Sequence, residues 1–153
     1  MDKTLVEVKN LNVTLGDNEI LNNLNFSVKK NDVIAIVGPN GSGKTVLFKT
    51  LLGLFPYSGE IKWEPNIKIG YVPQRLSVDK EFPLSVEEFF ELKHSGYEEM
   101  IKSLKSVGIH HLGQSSDDEH HLKHHVLEKQ LGTLSGGQFQ RVLIAWALVK
   151  NPD

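Results

Sequence analysis

The feature that most constrains the fold is a glycine-rich run between an apolar segment and a helix-forming segment. It reads Gly38-Pro39-Asn40-Gly41-Ser42-Gly43-Lys44-Thr45. The pattern G-x-x-x-x-G-K-[ST] between a strand and a helix wraps phosphate oxygens in backbone N–H groups. Val33–Val37 is typical of a buried parallel strand, and Val46–Leu52 predicts a helix whose positive end meets the phosphates. The sequence therefore predicts an α/β fold with a site for a nucleoside triphosphate.

The residue types in this run, here called the phosphate loop, suit that chemistry. Gly41 and Gly43 permit backbone that a Cβ would obstruct. Lys44 is placed for the β- and γ-phosphates, and the Thr45 hydroxyl can ligate Mg²⁺. An ordinary glycine-rich turn is the alternative. The preceding strand, the spacing of the glycines, the Lys-Thr pair and the following helix all favour the phosphate loop instead. We therefore assign every residue from Gly38 to Thr45 to binding of ATP, with Thr45 also a ligand of Mg²⁺ and Lys44 also catalytic.

A second glycine-bearing run lies far downstream, before an apolar segment with helical periodicity. It reads Leu134-Ser135-Gly136-Gly137-Gln138 and is here called the signature run. Ser135 offers a hydroxyl, Gly136 and Gly137 expose amides, and a helix from Gln138 to Val149 points its positive end at a γ-phosphate. Taken alone, Ser135 could be a simple N-cap and the two glycines a loop. We assign Ser135 to Gln138 to nucleotide binding.

The two runs together resemble those of the ATP-binding-cassette (ABC) ATPases, and the likeness extends from about Leu5 to the last residue. The resemblance implies a P-loop NTPase of ABC type, with an N-terminal antiparallel β region and an α-helical subdomain. It also implies a head-to-tail dimer in which the signature run of one protomer faces the ATP held by the other. Intact members of the family hydrolyse ATP.

Further site residues follow from the resemblance. Gln74 comes after a predicted strand, Ile67–Val72, and resembles the loop glutamine that touches Mg²⁺ and the attacking water. A lone glutamine in a loop is otherwise normally just solvated. Leu15, beside Thr14, stands where the family usually stacks an aromatic residue on adenine, and leucine has no π-face. Trp146 stands where the family commonly has a basic residue.

The remaining pattern predicts antiparallel strands first and helices later. Strands are expected over Leu5–Val8, Leu11–Leu15, Ile20–Leu21, Leu24–Val28 and Glu60–Trp63, with a hairpin turn at Gly16-Asp17-Asn18. Ser85 and Glu88 fit a capping box, and a further helix over Tyr97–Val107 stops at Gly108. We divide the chain into residues 1–76, a helical subdomain over 77–133, and the signature run with its helix over 134–153.

Composition limits the partners. The 153 residues are 39% hydrophobic, enough for one core, and no apolar run approaches the roughly 20 residues of a membrane span. The sequence has no cysteine, and the net charge of −2 gives no electrostatic case for binding nucleic acid. With no signal-peptide pattern either, we expect a cytoplasmic protein. The resemblance to ABC ATPases further implies a peripheral position on the cytoplasmic face of the membrane.

The last residues resemble a turn of the family. In that family Asn151-Pro152-Asp153 would lead into a buried strand that ends in a metal-holding Asp and a catalytic Glu, and neither residue occurs in this sequence. We therefore expect a fragment that lacks part of its core sheet, is marginally stable and lacks normal ATP turnover even if it binds nucleotide.

One stretch, Ile69 to Leu92, most resembles the ATPases of zinc, manganese or iron(II) importers. The resemblance implies a transmembrane subunit, a second nucleotide-binding subunit and an extracytoplasmic metal-binding protein as partners. Phe82, Leu84 and Phe89 are candidate contacts for the transmembrane subunit, and burial in the core of the subdomain is the alternative for each.

Histidines cluster before the signature run. If residues 117 to 125 are helical, His120 and His124 share one face and His121 and His125 the next, a spacing that suits Zn²⁺. A solvated histidine-rich loop is the alternative.

The sequence thus predicts the ATP-binding subunit of an importer, with a metal ion as the transported substrate. A soluble, non-transporting cassette protein and a non-hydrolysing remnant that binds nucleotide are the alternatives.

Overall fold

A computed structural model describes residues 3–74, 76, 78–109 and 126–153. The chain divides into two compact units, Met1–Ile67 and Lys68–Asp153, each with its own hydrophobic core. No helix in the described ranges is long and apolar enough to cross a membrane.

The first unit is built on a three-stranded antiparallel sheet. Its strands are β1 (Thr4–Leu15), β2 (Asn18–Lys29) and β3 (Ser58–Trp63), in the order β2-β1-β3. The predicted hairpin between β1 and β2 is confirmed, with Leu15 paired to Asn18 and Gly16 at a φ of 60°. The buried side chains on one face of β1 are Val6, Val8, Leu11 and Val13.

The prediction of paired short strands within β1 and β2 is wrong, because each runs unbroken for 12 residues. The apparent breaks are irregularities at Asn10 and Asn23, which have φ values of 48° and 46°. At each of these two positions, an asparagine side chain on the opposite strand accepts a hydrogen bond from the backbone amide. The Asn10 amide donates to Asn25 Oδ1 at 2.9 Å, and the Asn23 amide donates to Asn12 Oδ1 at 2.7 Å.

The helix after the phosphate loop, α1, spans Lys44–Leu51. Leu47 is buried among the side chains of the sheet, and the Trp63 indole N–H donates to the Leu51 carbonyl at 3.1 Å. The predicted strand before the loop does not form. Val33 is 98% exposed and Val37 88%, since none of the described strands pairs with this segment and extended chain needs a ladder partner.

The second unit is helical. It contains α2 (Val86–Glu91), α3 (Tyr97–Ser106), a 3₁₀ turn (Leu131–Thr133) and α4 (Gly136–Leu148). These elements share one core, so the signature helix packs with the helical subdomain. The most deeply buried residues of this core include Phe90, Leu104, Leu127, Val142 and Ala145.

The helix boundaries in this unit agree with the sequence. The Ser85 hydroxyl accepts from the Glu88 amide at 3.2 Å, and Glu88 accepts from the Ser85 amide at 2.7 Å, which confirms the capping box. The Ser85 bonds lower the pKa of Glu88. Helix α3 ends just before Gly108, whose φ is 78°.

The predicted strand Ile67–Val72 is absent. Lys68 instead pairs with Asp153, because the Lys68 amide donates to Asp153 Oδ2 at 2.9 Å and the Asp153 amide donates to the Lys68 carbonyl at 3.0 Å. A Cβ on Gly70 would lie 2.9 Å from the Ala147 carbonyl oxygen. The segment therefore packs beside the end of α4 as irregular chain.

Candidate nucleotide site

Three glycines of the phosphate loop meet different constraints. Gly43 is buried at a φ of 85°, and a Cβ there would lie 2.9 Å from Leu21 Cδ2. A Cβ on Gly38 would lie 2.7 Å from Ser42 Oγ, although that side chain is free to rotate away. Gly41 has a φ of 84° in open space. The loop is therefore held tightly against β2 at Gly43 and is open to solvent at Gly41.

The ammonium group of Lys44 folds back over the loop. Its Nζ donates to the carbonyl oxygens of Gly38 and Pro39, each at 2.7 Å, and lies 3.5 Å from Ser42 Oγ. The Lys44 ammonium therefore places a positive charge directly over the loop backbone. An anion that enters it can replace the two carbonyls as the partner of Nζ.

The start of α1 leaves positive charge for a ligand. Its N-cap, Gly43, has no side chain to bond the first amides, and no acidic residue lies in the first turn. The N-terminal end of the helix dipole is therefore not neutralised by the side chains of its own first turn. Thr45 lies exposed at this end, where its hydroxyl is accessible to a metal ion.

The candidate adenine residues lie on the hairpin beside the loop. Thr14 is exposed and Leu15 is half-buried. Leu15 packs against the same core cluster as Ile20 and Val46, and Ile20 Cγ2 would lie 3.0 Å from a Cβ on Gly43. The fold thus brings the tip of the hairpin and the phosphate loop together within the first unit.

The signature run opens α4 with a second capping box. The Ser135 amide donates to Gln138 Oε1 at 3.0 Å, and the Gln138 amide donates to Ser135 Oγ at 3.4 Å. Ser135 therefore is an N-cap, the role that its residue type also predicts.

Among the residues that the structure describes, nothing requires glycine at Gly136 or Gly137. A Cβ on either would have nothing within 4 Å, and neither has a positive φ. Alanine is preferred to glycine by about 1 kcal/mol in a helix interior, and the same preference applies more weakly in the first turn. Two consecutive glycines at this exposed helix start leave open space beside the backbone.

Other predicted site residues have simpler surroundings. Gln74 is an exposed residue in irregular chain of the second unit. The histidines of the candidate zinc site, His120, His121, His124 and His125, lie outside the described residues. Within the ranges that the structure describes, no group of three or more acidic or histidine side chains is placed to hold a metal ion.

Trp146 has a structural role that the sequence did not predict. Its ring stacks on Phe89 with centroids 4.8 Å apart, and its indole N–H donates to the Phe89 carbonyl at 2.9 Å. Lys93 Nζ lies 3.9 Å from a Trp146 ring centroid and donates to the Trp146 carbonyl at 2.8 Å. Burial in this cluster lowers the pKa of Lys93.

The three candidate contacts for a transmembrane subunit differ in exposure. Phe89 and Leu84 are half-buried and pack on the core of the second unit, as the alternative interpretation expected. Phe82 is 46% exposed, in a loop whose residues Asp79 and Lys80 pack closely on Gly132.

The phosphate loop and the helix that follows it are compatible with a P-loop nucleotide-binding fold. Comparison with known proteins specifies the family. The model of the ABC transporter family matches residues 21–153. The chain therefore belongs to the ABC transporter family, and it resembles the ATP-binding subunits of metal importers.

Curated relatives share about two fifths of the residues. The zinc import ATP-binding protein ZnuC of Rickettsia conorii is 39% identical over all of this chain and 61% of its own length. The protein of the same name from Jannaschia sp. is 40% identical over 98% of this chain and 57% of its own length. The chain thus spans about three fifths of the length of these relatives.

Solved structures agree with the fold. A bacterial Atm1-family ABC exporter with ATP bound aligns over 98% of this chain and 28% of its own, with a TM-score of 0.77 and 27% identity. A structure of an ATP-binding subunit of an ABC transporter aligns over 97% of this chain and 63% of its own, with a TM-score of 0.74 and 24% identity. The prediction of an ABC-type P-loop fold is confirmed.

Proposed function

We propose that the protein is the ATP-binding subunit of an ABC importer for a metal ion, and that its phosphate loop binds MgATP. The observation that carries this proposal is the geometry of the loop. Lys44 Nζ rests on the Gly38 and Pro39 carbonyls, at the uncapped start of α1, and phosphate oxygens would satisfy both the ammonium and the free amides. The β- and γ-phosphates are the groups that Lys44 would hold.

The magnesium ion would be held by the Thr45 hydroxyl together with phosphate oxygens, and the resemblance to the family assigns a contact with the same ion to Gln74. Both side chains are exposed, and hydroxyl and amide oxygens are ligands that Mg²⁺ accepts. The ion would neutralise charge on the phosphates during transfer of the γ-phosphoryl group to water. Gln74 would orient the attacking water.

The signature run would bind the γ-phosphate of a nucleotide held by a second protomer. The open space around Gly136 and Gly137 supports this role, because no described atom lies within 4 Å of their Cβ positions to obstruct a phosphate that approaches the helix start. The Ser135 hydroxyl and Gln138 lie at the same helix start. Thr14 and Leu15 would line the adenine side of the site in the first protomer, with a weaker contact than an aromatic ring would give.

The remaining assignments rest on likeness to the relatives. Zinc is the substrate favoured by the names of the relatives at 39% and 40% identity. The subunit would act as a homodimer on the cytoplasmic face of the membrane, with a transmembrane subunit and an extracytoplasmic metal-binding protein as partners. The resemblance assigns the family's general base, a glutamate, to no residue of this sequence. We therefore propose that these residues alone bind ATP without normal turnover.

A titration with a fluorescent ATP analogue tests the phosphate site. Lys44→Ala removes the charged partner of the phosphates and should weaken binding by about ten-fold or more, as expected for charge-assisted hydrogen bonds. Lys30→Ala is the matched control, since it removes the same charge from an exposed turn where the backbone amide, not the side chain, bonds Lys3. Equal affinities for wild type and Lys44→Ala would contradict the assignment.

A further inference from the structure

The phosphate loop contains a pair of residues with a chemistry of its own. Asn40 is followed by Gly41, and no other asparagine of the sequence is followed by glycine. An asparagine side chain can be attacked by the backbone nitrogen of the next residue, and a following glycine leaves that nitrogen unshielded. Asparagine is for this reason among the thermolabile residues.

The structure leaves both reacting groups free. Asn40 and Gly41 are exposed, and neither takes part in any hydrogen bond found within the described chain. Gly41 lies at a φ of 84° with nothing within 4 Å of its Cβ position. The loop can therefore rotate its side chain and backbone into the geometry of attack with little steric resistance.

The side chains of two other asparagines are held by hydrogen bonds. Asn12 Nδ2 donates to the Asn10 carbonyl at 2.7 Å, and Asn25 Nδ2 donates to the Asn23 carbonyl at 2.8 Å. Asn151 precedes a proline, whose nitrogen carries no hydrogen to lose. These residues are internal references for the reactivity of Asn40.

We propose that the Asn40–Gly41 bond is a site of spontaneous deamidation that inactivates the phosphate loop. The Gly41 nitrogen attacks the side-chain carbonyl carbon of Asn40, forming a carbon–nitrogen bond and closing a succinimide ring as ammonia leaves. Water then opens the ring at either carbonyl. The product is aspartate, or isoaspartate in which the main chain runs through the side-chain methylene; overall, one water is consumed and one ammonia released.

The product is poorly suited to phosphate. A carboxylate appears one residue from the Pro39 carbonyl that Lys44 Nζ contacts, so it can pair with Lys44 and repel the phosphates. Isoaspartate also adds a backbone atom to a loop whose amide positions define the site. This consequence rests on the proposed function. The chemistry itself does not.

The test is ageing of the purified chain at mildly alkaline pH, followed by peptide mass spectrometry. Deamidation raises the mass of a peptide by about one dalton, and the peptide with Asn40 should gain it at least about ten-fold faster than peptides with Asn12, Asn25 or Asn151. Asn40→Gln should abolish the fast phase, because the longer side chain closes a less favourable ring. A gain no faster than at the other asparagines would overturn the proposal.

The effect on the site is measured separately on the same samples with the fluorescent ATP analogue. Binding capacity should fall in proportion to the modified fraction, and MgATP present during ageing should slow the mass gain. Full binding by modified chains would overturn the inactivation. If fresh chain fails to bind the analogue, the proposed function fails instead, while the mass measurement still decides whether Asn40 is reactive.

Discussion

Truncation of the Trp146 side chain should lower the free energy of unfolding of the second unit by the sum of the contacts that the side chain makes. The indole N–H bond to the Phe89 carbonyl contributes about 1 kcal/mol, the stacked ring about 1 kcal/mol more, and the ammonium of Lys93 over the ring about 0.5–1 kcal/mol. The sum, about 3 kcal/mol, is at the low end of the range for aromatic-to-alanine changes in a core, as suits a half-buried side chain.

Two variants separate these contributions. Trp146→Ala should lose all three contacts, whereas Trp146→Phe keeps a stacking ring and should lose about 1–1.5 kcal/mol, mainly the hydrogen bond and part of the cation–π attraction. Phe82→Ala is the matched control, because it removes an aromatic ring of the same unit that is 46% exposed and should change stability by less than about 1 kcal/mol.

Urea unfolding followed by far-ultraviolet circular dichroism measures the difference, since the second unit holds most of the described helix. The expected order of stability is wild type and Phe82→Ala, then Trp146→Phe, then Trp146→Ala. If Trp146→Ala unfolds at the same urea concentration as Phe82→Ala, the cluster around Trp146 does not stabilise the unit.

Three further predictions follow from single residues. Gly43→Ala should destabilise the first unit by about 1–3 kcal/mol, because the residue has a φ of 85° and no room for a Cβ, and an unchanged urea midpoint would refute this. Gly137→Ala should leave the urea midpoint unchanged or slightly raised but abolish ATP-dependent dimerisation measured by light scattering; dimerisation at wild-type level would refute the role of the signature run. The Lys150 ammonium and the Gly96 amide lower the pKa of Glu99 below 4.5. The ionised Glu99 therefore stabilises the fold at pH values above its unfolded pKa, and this stabilisation is lost as the pH falls through the lowered pKa of the folded state. Glu99→Gln should therefore reduce the loss of stability on acidification below pH 4.5, measured by urea midpoints, and an identical acid profile would contradict it.

Local signals in the sequence were sufficient where the structure is local. The capping box at Ser85, the end of α3 before Gly108 and the turn at Gly16 depend on residues within a few positions of each other. Such features follow from side-chain hydrogen bonds and positive φ values, which the residue types specify directly.

Features that depend on distant partners were not predictable in the same way. Val33–Val37 has the composition of a buried strand, but composition carries no information about which neighbour completes the ladder. Asn10 and Asn23 look like turn residues, yet amide groups from the facing strand keep β1 and β2 continuous. The partner of Trp146 lies 57 positions away, beyond the reach of any local pattern.

The same distinction between local and distant features applies to the candidate site. The phosphate loop and the signature run were found by spacing, because backbone amides and a lysine need fixed positions to hold phosphate. The sequence does not specify the hydrogen bonds from Lys44 Nζ to the Gly38 and Pro39 carbonyls or the open space at Gly136 and Gly137, because both depend on how the chain folds in three dimensions.

Hydrogen exchange of the chain with and without MgATP tests the central claim most directly, because bound phosphates would protect the amides that bond them. The account predicts slower exchange in the peptide that spans Gly38 to Thr45 and the first turn of α1. The same peptide in Lys44→Ala should show little protection at the same nucleotide concentration. Unchanged exchange in that peptide of the wild type, at nucleotide concentrations that saturate binding, would contradict the phosphate site.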